Sequence, residues 1–137
     1  MGGRILICKV GLDGHEAGAK LITAILRDAG HEVIYTGMRR TVQDIVRIAL
    51  EEDVDLIGIS LLSGAHMTVC QELKATLESQ GLADTPVLVG GIIPDSDHGA
   101  LTALGVRGVF TPGATSETMV GMVVDLVSES QRRKQLA

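Results

Sequence analysis

Arg4-Ile5-Leu6-Ile7-Cys8-Lys9-Val10-Gly11-Leu12-Asp13-Gly14-His15-Glu16-Ala17-Gly18 is the stretch that decides the fold. The apolar run Ile5 to Cys8 suits a strand buried on both faces, and it gives way to a glycine-containing turn that leads into a segment of helical period. The turn carries chemistry as well as direction. Its Asp-x-His-x-x-Gly pattern, formed by Asp13, His15 and Gly18, sets a carboxylate, an imidazole and a close-approach glycine at one strand-to-helix junction. Neutral imidazole is the commonest protein ligand for metals, and a neighbouring carboxylate can hold the other ring nitrogen's proton and so fix the tautomer. A solvated loop histidine with Asp13 capping the following helix fits the same three residues, so the pattern has to be weighed against the rest of the chain.

Working outward, short β-branched runs alternate with longer segments of helical period along the whole sequence. The pattern predicts strands over Arg4 to Cys8, Glu32 to Tyr35, Leu56 to Ser60, Val87 to Val89 and Gly108 to Phe110. Helices are predicted over His15 to Ala29, Val42 to Glu52, Ala65 to Ser79, Asp97 to Leu104 and Ser116 to Ser130. Gly30, Gly81 and Gly105 stand where helices should stop, Pro86 precedes a strand, and Thr41 and either Thr115 or Ser116 are suited to cap helices. Five strands alternating with five helices imply a doubly wound α/β domain, a parallel sheet covered on both faces by right-handed crossovers. The expected strand order is the flavodoxin-like 2-1-3-4-5, with its ligand crevice at the C-terminal ends of the strands. One domain is expected over residues 1–137, its last residues, Gln131 to Ala137, forming a frayed polar tail.

Composition narrows the function classes. With 137 residues, 45% of them hydrophobic, the chain can bury one ordinary core. A net charge of −5 with scattered basic residues argues against a nucleic-acid partner. A single Tyr and a single Phe leave no aromatic platform for stacking bases or a flavin. Met1-Gly2-Gly3-Arg4 enters a strand-like run without a signal-peptide pattern, and nothing approaches the roughly 20 consecutive apolar residues of a membrane span. The expectation is a soluble cytoplasmic protein in which Cys8 and Cys70 are reduced thiols used for packing.

In the expected topology one rim gathers the chemically informative turns. Asp13, Gly14, His15 and Glu16 follow strand 1, and Ser60-Leu61-Leu62-Ser63-Gly64 ends and follows strand 3. Gly90-Gly91-Ile92-Ile93-Pro94 follows strand 4, and Thr111-Pro112-Gly113 follows strand 5. Small residues there leave room for a bulky ligand, although an ordinary tight turn accounts for any one glycine taken singly. A phosphoreceiver would need an acidic cluster after strand 1 and an Asp ending strand 3, where this chain has Cys8-Lys9 and Ser60. The glycine-rich fingerprints of dinucleotide and nucleoside-triphosphate sites are absent.

The ordered set D-x-H-x-x-G, S-x-L and GG resembles the cobalamin-binding domain of adenosylcobalamin-dependent mutases. More narrowly, Gly11-Leu12-Asp13-Gly14-His15, Glu52-Asp53-Val54-Asp55, Gly90-Gly91-Ile92-Ile93-Pro94 and Thr111-Pro112-Gly113 resemble the methylmalonyl-CoA mutase family. The resemblance covers nearly the whole chain and implies a small subunit that performs a radical carbon-skeleton rearrangement together with a large acyl-CoA-binding subunit. It implies adenosylcobalamin bound base-off and His-on, with His15 the lower axial ligand of cobalt, Asp13 accepting the His15 N–H, and Lys9 bonding Asp13. It further implies that the displaced nucleotide tail lies beside Ser60, Leu62, Gly90 and Gly91, with Gly14, Glu16, Gly18, Ser63, Gly64, Ile92, Phe110, Thr111 and Gly113 completing the site. A G-protein chaperone for cofactor loading is a further implied partner. Two departures bear on the tail: Ala114 stands where relatives often have Thr, with Thr115 a substitute hydroxyl, and Phe110 stands where they often have Tyr.

The substrate ranking is methylmalonyl-CoA first, with 2-hydroxyisobutyryl-CoA and isobutyryl-CoA behind it. Other readings are the small subunit of glutamate mutase, a corrinoid methyl carrier, and a non-enzymatic cobalamin-binding sensory module. His31 reads as a solvated turn residue. His66, at the opening of the third helix, and His98, beyond the Gly-Gly turn, are weaker candidates for touching cofactor or partner. Arg39 and Arg40 read as a solvated basic pair, with docking to the large subunit the second option.

Overall fold

Alternate side chains of the strands enter two separate cores, and this alternation builds the layers of the fold. The computed structural model describes residues 2–9, 17–36, 41–61, 66–91, 93–110 and 115–136. In chain order the elements are β1 (Arg4–Lys9), α1 (Ala17–Asp28), β2 (Glu32–Tyr35), α2 (Val42–Glu52), β3 (Leu56–Ser60), α3 (His66–Ser79), β4 (Val87–Gly90), α4 (Asp95–Ala103), β5 (Val106–Phe110) and α5 (Ser116–Leu136). The strands form one parallel sheet in the order β2-β1-β3-β4-β5, the flavodoxin-like arrangement expected from the sequence.

Leu6, Cys8, Ile57, Ile59, Val87 and Val89 point to one face, where they pack with Val46 and Ala49 of α2, Cys70 and Leu73 of α3, and Leu101 of α4. Ile5, Ile7, Leu56 and Leu88 point to the other and pack with Ala19 and Leu26 of α1 and Val123 and Val127 of α5. Full burial of an aliphatic side chain such as Ile5 or Ile57 contributes about 1.5–3 kcal/mol. Thr41 caps α2 as expected: its hydroxyl accepts from Asp44 N at 3.1 Å, and the Asp44 carboxylate accepts from Thr41 N at 3.4 Å. Gly30, Gly81 and Gly105, with φ of 96°, 75° and 94°, end helices in the left-handed region.

Several boundaries differ from the sequence expectation. β5 begins at Val106, which pairs with Val87 across a register irregularity, and α4 begins at Asp95, directly after Pro94. The predicted frayed tail is instead helical through Leu136. Lys134 Nζ donates to Asp53 O at 2.7 Å and to Asp55 Oδ1 at 2.9 Å, while Arg133 Nη1 donates to Asp84 O at 2.8 Å. Long basic side chains thus tie the last turns to the junctions before β3 and β4, an arrangement that favours cations at a helix C-terminus. His31 is likewise not solvated: it is buried, and its Nδ1 accepts from Gly3 N at 3.1 Å. Among the described residues no helix is long and apolar enough to cross a membrane.

Candidate functional site

The sheet register assembles the site. Lys9 is paired with Ser60, Ser60 with Gly90, and Gly90 with Phe110, so the strand residues singled out from sequence form one row across the C-terminal ends of β1, β3, β4 and β5. Strand alternation turns this row toward the α1 and α5 face, the side to which Ile7 and Leu88 also point. On the opposite face the flanking positions are bulky, with Cys8, Ile59, Leu61 and Val89 all buried. The upper edge is therefore filled on one side, and on the other it is trimmed to a hydroxymethyl and a hydrogen at its central strands β3 and β4.

Each member of the row contributes differently. Lys9 is fully buried, and a cation so placed requires a polar or anionic partner. Ser60 is half-buried, and its hydroxyl makes no hydrogen bond to another described residue. A Cβ on Gly90 would meet only Phe110 O, at 3.8 Å, so open space lies beside it. Phe110 is half-buried and packs against the α1 and α5 core. One step further, Leu61 N donates to Gly90 O at 2.9 Å and Gly91 N donates to Phe110 O at 3.0 Å, extending the ladder past the row. Gly91 has φ of 148°, and a Cβ there would meet Leu61 O at 2.0 Å, so only glycine fits this approach of β4 to β3. Gly18 lies in the first turn of α1. Together these residues offer an unclaimed hydroxyl, an apolar edge and room beside a glycine on the α1 and α5 side.

Asp13, Gly14, His15, Glu16, Leu62, Ser63, Gly64, Ile92, Thr111 and Gly113 lie outside the described residues, as do Arg39, Arg40 and Ala114. Thr115, suggested as a substitute hydroxyl, accepts from Thr118 N at 3.2 Å and serves as the cap of α5. His98 Nε2 lies 3.3 Å from Ile93 O within its own helix start. His66 is buried, with its Nε2 2.7 Å from Asp97 Oδ2. Sequence reasoning did not find Asp97, because nothing local links it to His66; the pairing exists only once β3 and β4 lie side by side. Burial pushes the Cys70 thiol up to about 11, so it is a packing group and not a nucleophile at neutral pH.

Comparison with known proteins gives this geometry a context. A family model described as B12 binding domain matches residues 3–120. The 2-hydroxyisobutanoyl-CoA mutase small subunit of Aquincola tertiaricarbonis is 42% identical over 125 residues, covering 91% of this chain and 92% of that protein. The pivalyl-CoA mutase small subunit of Xanthobacter autotrophicus is 46% identical over 131 residues, covering 96% and 88% respectively. Among solved structures, a cobalamin-binding protein from Desulfitobacterium hafniense superposes with a TM-score of 0.70 at 21% identity, over 96% of this chain and 58% of that one, a likeness of fold.

Proposed function

The chain belongs to the B12-binding domain family, and from that premise we propose that it is the adenosylcobalamin-binding small subunit of a heteromeric acyl-CoA mutase. The substrate favoured is a branched acyl-CoA of the 2-hydroxyisobutyryl or pivalyl type. This reverses the sequence ranking, which put methylmalonyl-CoA first: the two small subunits matched over nearly their whole length are named for 2-hydroxyisobutanoyl-CoA and pivalyl-CoA mutases.

The observation that carries the reading is the row Lys9, Ser60, Gly90 and Phe110 on one face of the sheet. The room beside Gly90 and the half-buried Ser60 hydroxyl suit a nucleotide tail released from the corrin. Ser60 would donate to a ring nitrogen of that tail, and Gly18 would let the first helix pass close to it. Lys9, buried at the end of β1, is suited to bond Asp13, which in turn holds the His15 proton and leaves the other ring nitrogen free to ligate cobalt. Adenosylcobalamin supplies the weak cobalt–carbon bond from which radical rearrangement begins. The chain's residues anchor, orient and cover the lower side of that group; substrate recognition falls to a large subunit in the cytoplasm, with cofactor loading assisted by a G-protein chaperone.

Titration of the purified chain with adenosylcobalamin, followed by visible absorbance, tests this. A base-off spectrum at saturation is expected, with nitrogen-15 coupling to cobalt in the reduced paramagnetic form when histidine is labelled. His15→Ala should remove that coupling while leaving the unfolding transition unchanged. A base-on spectrum, or coupling that persists in the variant, would refute the ligand assignment.

A further inference from the structure

The His66 ring is buried with 8% of its side chain exposed, at the first residue of α3. Its Nε2 meets Asp97 Oδ2 at 2.7 Å in the first turn of α4. An ionised carboxylate can only accept, so Nε2 carries a proton, and in the neutral ring Nδ1 is then an acceptor. That Nδ1 is buried and has no hydrogen-bond partner among the described residues. Native interiors nearly always pair such an atom, with protein, ordered water or a bound group.

A purely architectural role accounts for half of this arrangement. Because β3 and β4 are neighbours, the His66–Asp97 bond clamps the starts of the helices that follow them. A clamp uses Nε2 and leaves the enclosed Nδ1 without a partner among the described residues. The ring sits above the C-terminal ends of the strands, on helices that pack against the face opposite the Lys9, Ser60, Gly90 and Phe110 row. A donor reaching it therefore belongs to the part of a ligand lying over the rim and not to a tail inserted along the α1 and α5 side. Primary carboxamides fringe the corrin macrocycle and supply neutral N–H donors there.

We propose that His66 is a further cofactor contact: oriented by Asp97, its Nδ1 accepts a hydrogen bond from a carboxamide N–H at the corrin periphery. The proposal rests on the cobalamin reading above. Affinities of the wild-type chain, His66→Leu and His66→Gln would be compared for cobalamin, for cobinamide, which keeps the amides and lacks the nucleotide, and for heptamethyl cobyrinate, whose esters have no N–H. His66→Leu should weaken cobalamin and cobinamide about tenfold and leave the ester unchanged. His66→Gln, which offers an N–H to Asp97 and a carbonyl acceptor, should recover most of the loss. Equal weakening of all three ligands would reduce His66 to a clamp, and weakening of cobalamin alone would move the donor to the nucleotide; either overturns the assignment. Should His66→Leu fail to fold, the wild-type Nδ1 resonance in histidine-labelled protein serves instead: it should shift with cobinamide and not with the ester, and no difference overturns the proposal. A wild-type chain that binds no corrinoid would remove the reading beneath and this inference with it, whereas retained cobalamin binding without the amide dependence sinks the inference alone.

Discussion

Gly90 and Gly91 lack side chains for different reasons, and the difference is measurable. At Gly91 a φ of 148° and a Leu61 carbonyl 2.0 Å from any added Cβ make the fold itself intolerant. Gly91→Ala should cost about 2–3 kcal/mol in urea unfolding. Gly90 lies in ordinary strand conformation with its nearest obstacle at 3.8 Å, so Gly90→Ala should change stability by no more than about 1 kcal/mol in either direction. A methyl there projects into the strip assigned to the nucleotide tail, and cobalamin affinity should fall by an order of magnitude or more. Retained affinity in that variant would place the tail elsewhere. His31 makes a separate prediction. Burial, followed by the charge of the nearby N-terminus, lowers its pKa from the ordinary 6.5. The unfolded chain therefore binds more protons than the folded one just below that value, and stability is fully present above it and lost as pH falls through the folded pKa. The urea midpoint should fall as the pH is lowered below the ordinary 6.5, and His31→Asn should flatten that part of the profile.

At the scale of elements, α5 shows where patterning succeeds and where it stops. Met119, Val123, Leu126 and Val127 follow helical spacing and pack on the sheet, so the front of the helix was legible. From Gln131 to Gln135 the residues are polar, and Arg133 and Lys134 find partners remote in sequence: Asp84, and Asp53 with Asp55. Periodicity carries no information about such partners, and the same limit hid the Gly3 contact of His31 and the His66–Asp97 bond. The strand residues of the site were legible for the converse reason: identity at a strand's C-terminal end, together with the order of strands, is enough to align Lys9, Ser60, Gly90 and Phe110. Asp55 is the focus of the remote partners. Its Oδ2 accepts from Arg4 N at 2.9 Å and its Oδ1 from Lys134 Nζ at 2.9 Å, and its side chain is 9% exposed while that of Lys134 is 30% exposed. Lys134→Ala should therefore destabilise by about 1 kcal/mol, more than a surface pair, because it strips one partner from a mostly buried carboxylate. In an Asp55→Asn background the same change should cost clearly less, and additive losses would show that the two side chains act independently.

For the molecule as a whole, the two-sided packing leaves one rim to do chemistry. Helices cover both faces of the sheet, and the described members of the site lie along a single edge of it. An edge can grip the lower side of a large planar group, but it supplies no second wall, and a radical reaction has to be screened from water and from stray hydrogen donors. On the proposed reading the second wall belongs to a large mutase subunit, and with it the contacts that choose the acyl group. The chain alone should bind cobalamin and release no rearranged product from any acyl-CoA ester. Combined with a large mutase subunit it should become active, and in mixtures with large subunits of different acyl-CoA preference the product should follow the large subunit. His15→Ala should abolish turnover in every mixture without abolishing association of the two chains, as judged by co-elution. Rearrangement by the isolated chain, or a preference that travels with this chain instead of its partner, would mean that substrate is read on this rim after all.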